Sequence, residues 1–455
     1  MPGDYQGRRV VILGLARQGV ALARYLAQQG ARVVVSDQQP AAKLAAQVAA
    51  LSDLPIEFVL GGHPESLLDG ADLLCLSGGV AADLPVVQAA RRRGVRLSND
   101  SQIFLEVCPP GVRVIAITGS AGKTTTTTLV GRMCGAAWGR VWVGGNIGNP
   151  LIADLARMRA GDVVVMELSS FQLELMTRSP QVAAVLNLTP NHLDRHGSMA
   201  AYAAAKSRIL LYQAAGDVAV LGRDDPGTLA LAPLARGRLA YFSAEGPVED
   251  GAFLRGDRLL VAQGGRMEEA ASLSDIKLRG PHNVLNVLAA CAISAAAGAS
   301  PAAMRAALVG FTGVEHRLEL VGDRRGARWY NDSIATAPER VIAALRSFDE
   351  PIVLLLGGRD KQLPWDELAE LVRTRVKAVV LFGEAGPLIE AALEKAGVPS
   401  ERRSRWPSLA QAMPAAAALA APGDVVLLSP GGTGFDEFRD FVERGEKFRQ
   451  WVGEM

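Results

Sequence analysis

Several short groups of polar residues in this chain have the types and spacing that chemistry requires. Thr118-Gly119-Ser120-Ala121-Gly122 interrupts an apolar run at Val114–Ile117, and Lys123-Thr124-Thr125 then opens a stretch rich in Ala, Leu and Val. Backbone N–H groups of such a glycine loop close around phosphate oxygens, and the N-terminus of the following helix adds positive potential. Lys123 would reach the terminal phosphates of a nucleotide and Thr124 would offer its hydroxyl to Mg2+, with Gly119, Ser120, Gly122 and Thr125 completing the cradle. The general pattern G-x-x-x-x-G-K-[ST] wants its first glycine at position 117, which is Ile here. The plainer alternative is a Gly turn before a threonine-rich, solvated helix start.

Three further groups lie downstream. Glu167 ends the apolar run Val163–Met166, where an acid beside a phosphate-loop strand would hold Mg2+ or, more plainly, cap the next helix. A second run, Ala183–Leu188, is expected as a strand and leads into Asn191-His192-Leu193-Asp194-Arg195-His196, where His192 is either a second metal ligand or a hydrogen-bonded structural residue. Asn283 and Asn286, spaced i,i+3 at the start of an expected helix Val284–Ala297, would share one face and read an adenine edge, or Asn283 would cap the helix. By composition alone Lys206, among alanines in an expected helix Met199–Tyr212, is a solvated helix residue.

The elements that must position these groups are those of α/β layers. Val10–Leu13, a turn at Gly14–Gly19 and Val33–Ser36 ending at Asp37 resemble the dinucleotide fingerprint G-x-G-x-x-G with a distal acid, except that the middle glycine is Ala16. Leu73–Leu76 runs into Ser77-Gly78-Gly79, a second glycine turn at a strand end. Pro109-Pro110-Gly111 suggests a boundary within 98–111, and residues 144–150 form a turn-rich loop entering a helix. Near residues 312–315 a last α/β region begins, with strands expected at Trp329–Tyr330, Ile352–Leu356, Ala378–Phe382 and Val425–Leu428. Its strand ends carry the polar clusters 331–336, 357–361 and 429–436, which describe one ligand-binding edge.

With 455 residues the chain is expected to hold two to four domains. A net charge of +1 gives no global field toward nucleic acid or an anionic membrane, so anion specificity must be local. The four cysteines are scattered without metal-finger or C-x-x-C spacing, as suits a reducing compartment. The start MPGDYQGRRVVILG has no signal-peptide core, and no apolar run reaches about 18 residues without a charge or proline. A cytoplasmic location is expected.

Taken together, ITGSAGKTTT (117–126), GGNIG (144–148), ELSSFQLE (167–174), 191–195, 280–286, His316-Arg317 and Asp332-Ser333 resemble the Mur ligases, ATP-dependent amide-bond synthetases of bacterial wall-precursor assembly. The resemblance runs along essentially the full chain, and Ile117 fits that family's shorter form T-G-x-x-G-K-[ST]. ELSSFQLE with GGNIG is most similar to the glutamate-adding branch. Folylpolyglutamate synthetases share the later domains but lack a first domain of about a hundred residues. A nucleotide-binding switch would need only the phosphate loop.

The resemblance implies an α/β protein of three domains: a Rossmann-like domain over 1–100, a central P-loop ATPase-like mixed sheet over 101–313, and a Rossmann-like domain over 314–455. It implies ATP and two Mg2+, with Lys123, Glu167, His192 and Lys206 catalytic. Thr124 and Glu167 would hold the first Mg2+, and His192 the second beside Lys206, carried as a CO2-derived carbamate. Asn283, Asn286, Arg317 and Asp332 would bind the nucleotide. Leu15, Ser77 and Gly79 would bind a UDP group, and Asn146, Gln172 and His192 a muramoyl group. Thr336, Lys361, Gly434, Phe435 and Phe441 would bind the incoming amino acid. The implied partners are small molecules only, with no nucleic acid or membrane, acting on a monomer. His192 or Asp194 would assist loss of the amine proton, an assignment the sequence leaves open. The chain departs from the family at the amino-acid end. Ile334 stands where Lys is usual and Gly434 where Ser is usual, while Gln38-Gln39 replace the Thr-Arg often found near the diphosphate. D-glutamate is the expected acceptor, with L-glutamate or another amino acid the alternative.

Overall fold

The computed structural model describes residues 3–455. Its apolar runs become strands of three sheets, and most strands are followed by a helix whose apolar face covers them. The first sheet is wholly parallel, in the order β3-β2-β1-β4-β5 (β1 Arg9–Leu13, β2 Arg32–Asp37, β3 Ile56–Leu60, β4 Leu73–Leu76, β5 Arg96–Ser98). Strand order reverses between β1 and β4, so the turns after them, at Gly14 and Ser77, lie side by side where such sheets bind ligands.

The second sheet contains β6 Arg113–Thr118, β7 Val141–Gly145, β8 Val163–Glu167, β9 Val182–Val185, β10 Val218–Gly222, β11 Arg238–Ser243, β12 Gly251–Arg255, β13 Arg258–Gln263 and β14 Arg266–Ser272. Their order is β14-β13-β12-β11-β10-β9-β6-β8-β7, parallel except for the last hairpins β12-β13-β14. β6 is flanked by β8 and β9, and the helix Lys123–Trp138 follows it directly. The third sheet has the order β15-β16-β20-β17-β18-β19 (β15 Glu319–Arg324, β16 Ala327–Asn331, β17 Ile352–Gly357, β18 Val376–Phe382, β19 Arg403–Trp406, β20 Val425–Gly431). Only β15 is antiparallel.

Two compact units contain these sheets. One comprises 1–276 with 281–310, the other 277–280 with 311–455. The segment read as a boundary at 98–111 is a helix, Asp100–Val107, capped by Asn99. Ile103 packs into the core of the first sheet and Phe104 into that of the second, which is why those two sheets share a unit.

Four expectations for local structure need correction. The strand expected at 183–188 is only Val182–Val185, because residues 186–189 turn aside to bond the phosphate loop. Residues 151–157 form a 3-10 turn, and Gly144-Gly145 close β7 instead of lying in a loop. The later helix begins at Pro281, so Asn283 lies inside it, buried, and is no cap. Lys206 is not solvated: it is 1% exposed. Among the described residues, no helix is long and apolar enough to cross a membrane.

Candidate active site

The phosphate loop is held from below by the segment after β9. Ser120 N donates to Asn187 O at 3.0 Å, Ala121 N to Asn187 Oδ1 at 2.8 Å, and Ser120 Oγ to Thr189 O at 2.9 Å. Gly122 adopts φ +78°, and a Cβ there would stand 2.2 Å from Asn286 Oδ1. Both conditions demand glycine. Asn286 Nδ2 in turn donates to Asn283 Oδ1 at 2.9 Å, so the paired asparagines sit against the loop. Lys123 Nζ folds toward Gly119 O (2.9 Å) and Ser120 O (3.2 Å). Thr125 is buried in the first helical turn.

Glu167 is 2% exposed and joins two of the groups picked out in the sequence. Its Oε2 accepts from Thr124 Oγ1 at 2.8 Å and its Oε1 from Asn146 Nδ2 at 2.8 Å. The next helix is capped by Ser169, with Gln172 completing a capping box, so Glu167 is not its cap. A hydroxyl and a carboxylate in contact at the foot of a phosphate loop are the hard-oxygen donors that suit Mg2+, which takes one or two carboxylates and draws further oxygens from phosphates and water. Among the described residues no group of three or more His, Cys, Asp or Glu gathers into a metal cage.

Lys206 lies behind the loop. Its Nζ donates to Thr118 Oγ1 and Gly119 O, both at 3.0 Å, and sits 4.8 Å from the Tyr202 ring. Burial, then the neighbouring Lys123, pulls its pKa down to about 6, against the opposing pull of Glu167. A neutral amine is the form that reacts with CO2. His192 has φ +53° and is exposed, its ring edge-on to Phe171 at 5.2 Å. Phe171 also stacks on His196 and lies 4.7 Å from the Arg195 guanidinium. The side chain of Asp194 lies outside the described residues.

The first sheet contributes the neighbouring turns. Leu15 N donates to Asp37 Oδ2 at 2.7 Å and Gln39 N to Asp37 Oδ1 at 2.8 Å, so the acid of the apparent fingerprint is engaged by its own turns. The Leu15 side chain is wholly buried, which leaves backbone as what that turn presents. Gln18, within the turn Gly14–Gly19, accepts from Gly78 N at 3.1 Å and donates to Gly145 O at 3.4 Å, tying the turn beside Ser77 and Gly79 to the end of β7. Gln172 donates to Ser101 Oγ at 2.9 Å, and Asn99 donates to Gln172 O. Asn187 and Tyr202 were missed, and Thr118 was placed in the loop without a role. A polar residue at a strand end was the available signal for Thr118 and Asn187, and nothing marked Tyr202.

In the second unit, neighbouring strands β16, β20 and β17 bring the three polar clusters to one edge. Asp332 is buried and accepts from Ser429 Oγ (2.8 Å) and Leu318 N (3.2 Å); burial raises its pKa to about 7, partly opposed by Ser429 and Arg317. Lys361 Nζ donates to Thr336 Oγ1 at 3.1 Å. Phe441 O accepts from Ser333 Oγ at 2.8 Å, Gly434 is buried against Asp440 and Arg444, and the Phe435 side chain is exposed.

A phosphate loop on a mixed sheet, preceded by a parallel Rossmann-like sheet and followed by another α/β sheet with a polar edge, defines a nucleotide-binding α/β protein of three domains. Three family models cover the chain: "Mur ligase MurD-like, N-terminal domain" over residues 8–99, "Mur ligase middle domain" over 117–294, and "Mur ligase, glutamate ligase domain" over 316–432. The chain belongs to the Mur ligase family. It is 44% identical to a UDP-N-acetylmuramoylalanine--D-glutamate ligase of Symbiobacterium thermophilum over 99% of both chains. It is 40% identical to the protein of that name from Acetivibrio thermocellus, over 99% of this chain and 97% of that one. Among solved structures, UDP-N-acetylmuramate-alanine ligase MurC of Thermotoga maritima shares the fold with TM-score 0.60 at 20% identity, covering 98% and 99% of the two chains.

Proposed function

We propose that this chain joins D-glutamate to UDP-N-acetylmuramoyl-L-alanine, with ATP converted to ADP and phosphate. The observation that carries the reading is the contact of Thr124 and Asn146 with Glu167 beneath the phosphate loop, in a chain whose relatives of that name match it from end to end. Domains over 1–100, 101–313 and 314–455 then divide the work of binding the UDP substrate, the nucleotide and the amino acid.

In this mechanism the loop amides of Gly119–Gly122 and Lys123 Nζ hold the nucleotide phosphates, and Asn283 and Asn286 sit against the same loop. Arg317 and Asp332 serve the nucleotide from the second unit's own residues. Leu15, Ser77 and Gly79 present the UDP-binding turns, while Asn146 and Gln172, both fixed by hydrogen bonds, orient the muramoyl group. The substrate carboxylate attacks the γ-phosphorus of ATP, the bond to ADP breaks, and an acyl phosphate forms. Two anions must approach each other, so Lys123 stabilises the charge that spreads over the transferring group. The deprotonated amine of the acceptor then attacks the carbonyl carbon and phosphate departs. Thr124 and Glu167, and at a second position His192 with a carbamylated Lys206, would hold Mg2+, which would supply neutralisation of the phosphate charge. One chain suffices, because every role falls on its own residues, and the reaction belongs in the cytoplasm, where ATP is supplied.

Phosphate release measured with ATP, UDP-N-acetylmuramoyl-L-alanine and, separately, D-Glu, L-Glu, D-Asp or L-Lys tests the reading. Release with D-Glu is expected. No release with any acceptor would sink the ligase assignment, and release with L-Glu alone would reverse the stereochemistry. Lys123→Ala is expected to abolish release with every acceptor.

A further inference from the structure

The turn 334–336, at the end of β16, is flanked by two cations from separate elements. Arg340, near the start of the helix Pro338–Leu345, directs Nη1 to the Ile334 carbonyl at 3.4 Å. Lys361, beyond β17, directs Nζ to Thr336 Oγ1 at 3.1 Å. Both residues are exposed, and among the described residues neither forms an ion pair with a carboxylate. That is selective. On the same edge Arg359 is gripped by both carboxylate oxygens of Glu384 at 2.8 and 2.9 Å, and Arg439 is paired with Glu443 at 3.1 Å.

The turn itself is rigid. Arg444 is 0% exposed and donates from Nε to Ser333 Oγ (3.0 Å), from Nη2 to Ser333 O (2.9 Å), and from both terminal nitrogens to Gly432 O (3.1 Å). It fixes the backbone beside Ile334 and adds a third positive charge. Around Lys361 the facing charges are Arg340 and Arg444, which repel it, and Glu339, which attracts it; packing and Arg340 together hold its ammonium below the ordinary lysine range. Two accessible cations that repel each other across a fixed turn gain when a ligand brings two negative charges. A guanidinium presents a planar fork of donors suited to a carboxylate, while an ammonium offers a point charge.

We propose that Arg340 reads the second carboxylate of a dicarboxylic amino-acid acceptor, Lys361 taking the first. This rests on the reading above, in which the second unit binds the acceptor, and it makes Arg340 the residue that separates glutamate from its amide. A residue built to pair with a carboxylate penalises an acceptor that lacks one.

The test uses the full-length enzyme with ATP and UDP-N-acetylmuramoyl-L-alanine, varying glutamate and glutamine of the configuration the wild type accepts. Arg340→Ala is expected to raise KM for glutamate about 10- to 100-fold. KM for ATP and for the UDP substrate should stay as they are, and the preference for glutamate over glutamine should fall by a similar factor. Arg340→Lys should restore part of that preference, and the melting temperature of both variants should match the wild type. An unchanged KM for glutamate, or a rise confined to KM for ATP, would overturn the proposal while leaving the ligase reading intact. A wild type that accepts no dicarboxylic amino acid overturns both.

Discussion

A lysine that is 1% exposed, with hydroxyl and carbonyl partners in place of a carboxylate, strains the folded state whenever it must carry a proton. Lys206 has a folded pKa of about 6 against 10.5 unfolded, so the unfolded chain binds the extra proton throughout that interval. Stability should therefore rise with pH from about 6 toward 10, the direction linkage requires when the unfolded state holds more protons. Lys206→Met removes the term. In CO2-depleted buffer at pH 7 this variant is expected to melt higher than wild type, by about 1–4 kcal/mol in stability. The gap should close as pH approaches 10, and thermal melts across that range check it. Activity should move the other way: Lys206→Ala should lose most of its rate and regain part of it with added acetate or formate. Full rate for Lys206→Ala at low bicarbonate would remove the carbamate from the mechanism.

At the scale of elements, one ring meets three side chains of the segment 191–196. Phe171, on the helix Ser170–Glu174, meets the edge of His192 and the face of His196, both at 5.2 Å between centroids, and lies 4.7 Å from the Arg195 guanidinium. Phe171→Ala should lower kcat about tenfold by loosening His192, with KM for ATP unchanged, and Phe171→Tyr should retain the rate. Steady-state kinetics with a melting control separates this from a folding defect. The strand–loop–helix at 113–138 was readable from the sequence because apolar run, glycines and helix each follow a local rule. Lys206 was not, because a helix of alanines looks alike whether its lysine faces water or a loop more than eighty residues back in the chain. Strands β3, β5, β7, β15 and β19 were overlooked for a related reason: all five are edge strands, four of them carry charged residues, and β7 ends in glycines. The resemblance supplied the roles of Gln172 and Asn146, while their anchors Ser101, Asn99 and Glu167 come from the fold.

For the whole molecule, two units with separate cores predict unfolding that departs from a single two-state transition. The proposed UDP-substrate residues all belong to the first unit and the proposed acceptor residues to the second. In calorimetry, UDP-N-acetylmuramoyl-L-alanine should raise the transition of the first unit, by mass action, and leave that of the second in place. A single transition whose calorimetric and van't Hoff enthalpies agree would count against independent units.

The space at Gly122 is filled by an amide from a helix that begins more than 150 residues later in the chain. Drift at these two positions is therefore not free. A larger side chain at 286 would press on the loop, and a smaller one would open a gap without admitting another residue at 122, where the left-handed backbone still excludes it. Among relatives, position 122 should stay glycine, and position 286 should keep to side chains near asparagine in volume.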